Sequence, residues 1–255
     1  MKAVHRVLDP SLSDPSALGL CALAVMTKAP RAGRVKTRLV PPLTPEEAAQ
    51  LNTCFLRDTA ASISEAAGEV ARRIAAYTPV GAEGAYIDIL PSDFQLLPQR
   101  GDEFGERLAF AAEDLFRIGF VSVCLIDSDS PTVSPKIYAE AAKLLSIQND
   151  RVVLGPAEDG GYYLIGVNKH HPQLFEEIDW STERVLDQTI ERATDLNLAV
   201  ELLPACYDVD DRITLRRLCD ELLDEKSRSI DIAPATRKFL IEIIHREGRD
   251  RIWPL

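Results

Sequence analysis

The sequence predicts an α/β protein with a three-layer, Rossmann-like sheet that is mixed but mostly parallel. Short apolar runs, such as 20–27 and 121–126, are typical of strands buried on both faces. Amphipathic stretches of ten or more residues separate most of these runs, which favours parallel strands joined by helices. The runs at 152–155 and 162–167 have no helix between them, so one of these two strands is expected to pair antiparallel.

The remaining elements follow from periodicity and capping signals. Thr44, Pro45 and the two acids after them predict the start of a helix that extends to about residue 67. Ser181 or Thr182 is expected to cap a later helix. The other predicted strands are 70–77, 94–97 and 199–203, and the other predicted helices are 79–90, 106–118, 134–147, 181–194, 213–223 and 234–244.

The length fits one large domain. The chain has 255 residues without a repeat, a low-complexity tract or a convincing linker, so we predict a single domain over residues 1–255. Residues 1–18 contain two prolines and no long apolar core, and we expect a loose N-terminal leader there. This segment lacks the features of a signal peptide or a membrane span, so the predicted location is cytoplasmic.

Composition excludes several classes of function. A net charge of −11 argues against binding to a nucleic-acid backbone or to an anionic membrane. The five cysteines form no C-x-x-C pair, which argues against a zinc site or a disulfide framework, and Cys21 and Cys124 lie in apolar runs typical of buried thiols. The four histidines suggest no Ser-His-Asp or Cys-His arrangement.

The apolar run at 121–126 ends abruptly in an acidic segment that contains Asp127 and Asp129. Ligands of open α/β sheets bind outside the carboxyl ends of the strands. Two carboxylates at such a position suit Mg²⁺ or Mn²⁺, because hard cations take oxygen ligands and share them with substrate phosphates. The alternative is an ordinary polar turn, in which Asp, Ser and Pro are common.

A basic loop, KAPRAGRVKTRL, follows the first predicted strand. It resembles neither a G-x-G-x-x-G motif nor a P-loop. Gly33 permits a sharp turn, and the surrounding cations could wrap a di- or triphosphate. The alternative is a solvated basic loop in an acidic protein. The predicted phosphate-binding residues of this loop are Lys28, Gly33, Lys36, Thr37 and Arg38, with Lys36 also a catalytic candidate.

Three further loops carry candidate residues. In QRGDEFGERL, the residues Gln99, Gly101 and Arg107 could approach a base or sugar, although a plain connection into a helix is the alternative. In CYDVDD, Asp208 is a candidate third metal ligand, whereas Asp211 could instead cap the following helix.

The third loop, GPAEDGGYYLIG, contains an Asp-Gly pair, which is a frequent hairpin signal. A hairpin could also present Asp159, or Glu158, to an acceptor hydroxyl. Asp159 is therefore a catalytic candidate, and Glu158, Gly160, Gly161 and Tyr162 are predicted to bind substrate. The alternative is a turn without a chemical role.

These motifs, in this order and together with IDWSTERVL at 178–186, resemble a bacterial family of GT-A-like transferases. The family was first described as a domain of unknown function and includes radical-SAM/selenodomain-associated transferases. It resembles the 2-phospho-lactate guanylyltransferases and other nucleotidyltransferases, which share the fold of the nucleotide-diphospho-sugar transferases. The resemblance covers about residues 20–220 and implies a GT-A fold, a nucleotide at the first loop and a metal at the acidic strand end. Where the family usually has Gly, this chain has Asp127, so Asp129 is the safer ligand.

The sequence therefore predicts a metal-dependent, glycosyltransferase-like enzyme that uses Mg²⁺ or Mn²⁺. Its expected partners are a nucleotide or nucleotide-sugar donor and a small-molecule acceptor. One alternative is a nucleotidyltransferase, similar to a guanylyltransferase, that acts on a small phosphorylated acceptor. Another is a nucleotide-binding module without catalytic activity.

Overall fold

A computed structural model describes residues 5–223 and 231–252, and seven strands in these residues form one sheet. The strands are β1 (Cys21–Lys28), β2 (Ala71–Thr78), β3 (Gln95–Pro98), β4 (Ser122–Ile126), β5 (Arg151–Pro156), β6 (Tyr162–Val167) and β7 (Ala199–Leu202). Their order in the sheet is β3-β2-β1-β4-β6-β5-β7. β6 is antiparallel to both of its neighbours, and the other pairs are parallel. The predicted fold class and the antiparallel pair are confirmed.

Seven α-helices accompany the sheet in the described residues. They are α1 (Pro45–Ala67), α2 (Phe104–Ile118), α3 (Pro135–Leu145), α4 (Val185–Asp195), α5 (Arg212–Leu223), α6 (Pro234–Glu247) and the short α7 (Arg249–Ile252). Thr44 caps α1 as predicted, in a capping box with Glu47. No helix in the described residues has both the length and the hydrophobicity that crossing a membrane requires.

The helices cover both faces of the sheet and so make three layers. Successive strand residues point to opposite faces. On β1, Leu23 and Val25 belong to the core shared with α1 and α3, whereas Ala22 and Ala24 belong to the core shared with α2 and α4. Cys21 and Cys124 are buried in the first of these cores, as predicted.

A third core lies beneath the C-terminal helices. Leu51 and Phe55 of α1 pack there with buried residues of α5 and α6, such as Leu218 and Leu240. Tyr207 and Val209, from the segment after β7, are buried in the same cluster. The C-terminal helices therefore support the segment that carries the acidic CYDVDD motif.

Three sequence predictions were wrong. In the segment 79–90, only Glu83–Tyr86 is helical, as a 3-10 turn. The helix predicted at 181–194 begins at Val185, with Arg184 rather than Ser181 or Thr182 at its N-cap. The predicted leader is not loose over residues 5–18, because Val7 pairs with Leu96 of β3 and Leu8 is buried.

A buried carboxylate connects α1 to α6. Asp58 is 4% exposed, and its two oxygens accept hydrogen bonds from the backbone N–H groups of Ala235 and Thr236, at 2.9 and 2.8 Å. These N–H groups belong to the first turn of α6, where a helix has no internal acceptors and favours negative charge. Asp58 is thus an N-cap supplied from another helix.

We expect Asp58→Ala to lower the free energy of unfolding by about 1–3 kcal/mol, because two buried N–H groups lose their acceptors. Asp58→Asn keeps one acceptor and should cost less. Glu65→Ala, at an exposed position of the same helix, is the control and should leave the denaturation midpoint unchanged. Chemical denaturation measures all three. Equal stability of Asp58→Ala and Glu65→Ala would show that this contact does not hold α6.

Candidate functional site

The loops that follow the parallel strands meet at one edge of the sheet and surround a cleft. This cleft has a volume of about 400 Å³ and is lined by residues that follow β1, β4, β5 and β7 and by the start of α2. A smaller recess of about 260 Å³ adjoins it beneath the basic loop after β1. The two spaces share Arg38, Ser128, Asp129 and Asp210. Carboxyl ends of strands are the expected location of a ligand site in this fold.

Lys36 lies where the two spaces meet. Its side chain is only 4% exposed, and its Nζ lies 2.9 Å from Asp129 Oδ1 and 2.7 Å from Asp210 Oδ1. The same Nζ donates a 2.9 Å hydrogen bond to the carbonyl of Val209. Burial alone would lower the pKa of Lys36, but the two carboxylates outweigh it and raise the pKa above its usual value. Lys36 is therefore a fixed, buried positive charge.

Asp127 also lines the larger cleft. One of its oxygens, Oδ2, accepts a 2.8 Å hydrogen bond from Ser130 Oγ, while Oδ1 is buried without a hydrogen-bond partner in the described residues. Burial and the neighbouring Asp129 raise the pKa of Asp127 well above its usual value. Such an oxygen costs free energy unless a proton or a ligand satisfies it. Asp129 has a side chain that is 34% exposed and faces both spaces.

The three acids of the CYDVDD motif occupy three different environments. Asp208 lines the larger cleft, and burial together with Asp159 and Asp210 raises its pKa to about 6. Asp210 pairs with Lys36, a contact that the sequence did not suggest. Asp211 accepts hydrogen bonds from the N–H groups at the start of α5, which confirms the alternative of a helix cap.

The turn between β5 and β6 presents Asp159 to the cleft. The carboxylate accepts a 2.9 Å hydrogen bond from the N–H of Gly161, which fixes the turn. Gly160 has a φ of 90°, and a Cβ there would lie 2.1 Å from the carbonyl oxygen of Glu183, so only glycine fits. Glu158 points elsewhere and makes a two-point ion pair with Arg217 on α5. Of the two acids, Asp159 is therefore the one that can contact a ligand in the cleft.

Phe104 and Trp180 both line the larger cleft and form an aromatic wall there. Their ring centroids are 5.2 Å apart in an edge-to-face arrangement. The indole lies against the backbone of Gly105, where a Cβ would be 2.4 Å from Trp180 Nε1. Sequence reasoning assigned no role to these residues, although the IDWSTERVL segment that contains Trp180 was part of the family resemblance.

Four other residues that were predicted for the site also line these two spaces. Lys28 and Thr37 line the smaller recess, and Gly161 and Tyr162 line the larger cleft. Gly33 adopts a φ of 70°, which supports the predicted turn in the basic loop, at an exposed position.

The loop after β3 does not reach the cleft through its predicted residues. Gln99 Nε2 donates to the carbonyl of Ala76 at 2.6 Å, and it thus closes the end of β2 instead of facing a base. Gly101 has a φ of 99° and packs against Glu106 and Phe110 of α2. Arg107 lines neither space. The expectation that these three residues contact nucleotide is not supported by their positions.

The donor set suits a hard divalent cation that is shared with a substrate. The described residues contain no ready-made group of three or more His, Cys, Asp or Glu ligands. Mg²⁺, however, usually takes one or two carboxylates and completes its shell with water and phosphate oxygens. Asp129 and Asp208 line the cleft beside the unpartnered oxygen of Asp127, so carboxylates suited to such a cation are available.

Comparison with known proteins identifies relatives of this fold. A solved structure from Desulfovibrio desulfuricans G20, described as a candidate nucleotide-diphospho-sugar transferase, is 28% identical, with a TM-score of 0.77. The match covers 89% of this chain and 97% of that one. A CMP:2-keto-3-deoxy-manno-octonic acid synthetase, solved with CTP, is 12% identical with a TM-score of 0.50, over 78% of this chain and 96% of that chain. Because its identity is so low, the synthetase shows only that the two proteins share a fold.

No protein with a curated description matches the chain. A family model does match residues 62–182, and its description is an uncharacterized protein conserved in bacteria, DUF2064. This match includes the acidic strand end, the Asp-Gly turn and the segment with Trp180. Over these residues the chain is similar to the DUF2064 family, and its predicted resemblance to the nucleotide-diphospho-sugar transferases is confirmed.

Proposed function

We propose that this protein is a metal-dependent transferase that takes a glycosyl group from a nucleotide-sugar donor. The observation that carries the proposal is the buried ammonium of Lys36, held between Asp129 and Asp210 where a basic recess meets an acidic cleft. A diphosphate placed at this junction would have cations on one side and carboxylates for a metal on the other. The 28% identity to the Desulfovibrio protein supports a nucleotide-sugar as donor.

The smaller recess has the charge that a diphosphate requires. Lys28, Arg34 and Arg38 line it together with Lys36. Arg38 is 76% exposed and lies 4.0 Å from Asp210 Oδ2, so its guanidinium is free to turn toward a ligand. Arginine can contact two phosphate oxygens at once, whereas lysine acts as a point charge. We infer that the donor phosphates bind here and that the sugar extends into the larger cleft.

The acidic side of the junction would hold the metal and the acceptor. Asp129 and Asp208 would bind Mg²⁺ or Mn²⁺, which when bound neutralises charge on the departing phosphate. Asp159 would orient the acceptor hydroxyl and remove its proton as the hydroxyl oxygen attacks the sugar. Lys36 would stabilise the negative charge of the departing diphosphate, since its own charge is fixed by the surrounding carboxylates.

A product assay distinguishes this proposal from nucleotidyl transfer. Purified protein is incubated with Mn²⁺, a panel of nucleotide-sugars or nucleoside triphosphates, and a mixture of small alcohols and sugars. Glycosyl transfer releases a free nucleoside diphosphate, whereas nucleotidyl transfer releases pyrophosphate. We expect a nucleoside diphosphate. Pyrophosphate would replace the proposal with nucleotidyl transfer, and nucleotide-dependent thermal stabilisation without either product would indicate a binding module.

The first prediction from the proposed function concerns Arg38. Arg38→Ala should weaken binding of the donor nucleotide by about 1–3 kcal/mol, because a charge-assisted hydrogen bond is lost. The melting temperature should not change, since the side chain is exposed. Arg31→Ala, at another exposed position in the same loop but outside the recess, is the matched control. Calorimetric titration that gives equal affinities for the two variants would remove Arg38 from the site.

The second prediction concerns Asp159. Asp159→Asn should lower turnover by a factor on the order of 10² or more and leave the affinity for donor nearly intact, because the amide cannot accept a proton. The amide oxygen can still accept the hydrogen bond from Gly161, so the turn should persist. Glu158→Gln loses only an exposed ion pair with Arg217 and should keep full activity. Similar losses of turnover in both variants would favour a purely structural role for the turn.

The third prediction concerns the metal. Nucleotide should bind more weakly in chelator, and it should tighten Mn²⁺ binding by the same factor, because linkage is reciprocal. Asp129→Asn should abolish this coupling and Asp208→Asn should reduce it. Asp211→Asn is the control, since Asp211 bonds to the start of α5. Calorimetric titrations of nucleotide with and without Mn²⁺ measure the coupling. Equal wild-type affinity in both conditions would exclude a metal at this site.

A further inference from the structure

The charges that line the larger cleft are strongly unbalanced. Among the described residues that line it, Arg38 is the only basic one, and Lys36 is already paired with two carboxylates. Six acidic residues line the same space: Asp127, Asp129, Asp159, Glu183, Asp208 and Asp210. Even when Asp127 is protonated and neutral, the five other acids outnumber the two basic residues, Arg38 and Lys36. The side chains that line the larger cleft are therefore unfavourable for an anion.

Binding of the donor and the metal together would leave the net negative charge of the cleft unchanged. A diphosphate ester brings about two negative charges, and a divalent cation cancels them. Glu183 and Asp159, which the proposed donor and metal do not use, also line the cleft, and both are exposed. Carboxylates that line a cleft repel a ligand that carries phosphate or carboxylate, because like charges repel each other. The cleft therefore does not suit an acceptor with an anionic group, and contacts other than salt bridges to such a group must bind the acceptor.

The aromatic wall supplies that recognition. Phe104 is 48% exposed and lines the cleft, so its ring is accessible to a ligand. Trp180 is held in place by the edge-to-face contact with Phe104 and by the backbone of Gly105. Leu108 and Val185 extend the apolar surface inside the same cleft. A rigid aromatic surface of this kind binds apolar rings, and it attracts cations through the negative face of the rings.

We propose that the acceptor is an uncharged or cationic molecule whose hydroxyl is attached to, or lies next to, an apolar ring that packs on Phe104 and Trp180. This inference rests on the proposed transferase function and excludes a phosphorylated acceptor. The ring would contact the aromatic wall at one end of the cleft. Its hydroxyl would face Asp159, where the reaction takes place.

The test uses the fluorescence of Trp180. The chain has two tryptophans, so the variant Trp253→Phe leaves Trp180 as the sole emitter. Three probes share a benzene ring and differ in charge: phenyl β-D-glucopyranoside, 2-phenylethylamine and phenyl phosphate. We expect saturable changes in fluorescence with the neutral and the cationic probe. Phenyl phosphate should bind at least tenfold more weakly than the glucoside.

Two variants test whether the aromatic wall binds the ring and whether the acids of the cleft determine the preference for charge. Phe104→Ala should weaken binding of the glucoside at least fivefold while keeping the nucleotide-induced rise in melting temperature. Glu183→Arg replaces an acid of the cleft by a base and should reduce the difference between glucoside and phenyl phosphate. Phenyl phosphate binding as tightly as the glucoside, or saturable binding by none of the probes, would overturn the proposal.

The nucleobase of the donor could also stack on the aromatic wall. The same fluorescence assay distinguishes a bound nucleobase from a bound acceptor ring. The glucoside is titrated with and without saturating UDP and GDP, whose own binding is measured by thermal shift. Unchanged affinity for the glucoside supports an acceptor site. Competition would assign the wall to the base and overturn the acceptor proposal. Absence of thermal stabilisation by any nucleotide would instead refute the transferase function, whatever the order of the three probes.

Discussion

The site depends on one buried ammonium group. Lys36 connects the loop after β1 with Asp129 after β4 and with Val209 and Asp210 after β7. A buried charge is costly unless it is paired and hydrogen-bonded, so this lysine requires both carboxylates to stay in place. Its backbone has a φ of 47°, in the left-handed region that few non-glycine residues adopt. The fold thus places a positive charge where the ends of three strands meet. Val209, whose carbonyl accepts a hydrogen bond from Lys36, packs in the core formed with the C-terminal helices.

Much of the fold could be predicted from the sequence because local signals agreed with the tertiary structure. Buried strands appeared as apolar runs, and the Thr44–Pro45 start of α1 is a true capping box. The segment 79–90 failed because Pro79 and two glycines limit it to a short 3-10 turn. The helix predicted from 181 starts four residues late because Glu183 packs on Gly160 and the N–H of Leu186 bonds to the Gly160 carbonyl. Tertiary contacts of this kind leave no local signal.

Most of the acids and bases predicted for the site line the two spaces at one edge of the sheet, but the sequence did not show which partner each one has. Spacing in CYDVDD could not show that Asp210 pairs with Lys36 while Asp211 caps a helix. Gln99 looked available for a base, yet it bonds to a carbonyl at the end of β2. The aromatic wall joins residues 76 positions apart in sequence, Phe104 and Trp180. Their meeting depends on the packing of α2 beside the segment before α4, which sequence periodicity does not encode.

The central claim is that the junction around Lys36 holds both the donor phosphates and the metal. The most direct test is a crystal structure with Mn²⁺ and the nucleotide that gives the largest thermal stabilisation, with data collected to show the anomalous scattering of manganese. The account predicts one manganese peak at coordination distance from Asp129, with Lys36 Nζ within hydrogen-bond distance of a phosphate oxygen. Nucleotide phosphates bound away from Lys36, or manganese bound without contact to Asp129, would contradict it.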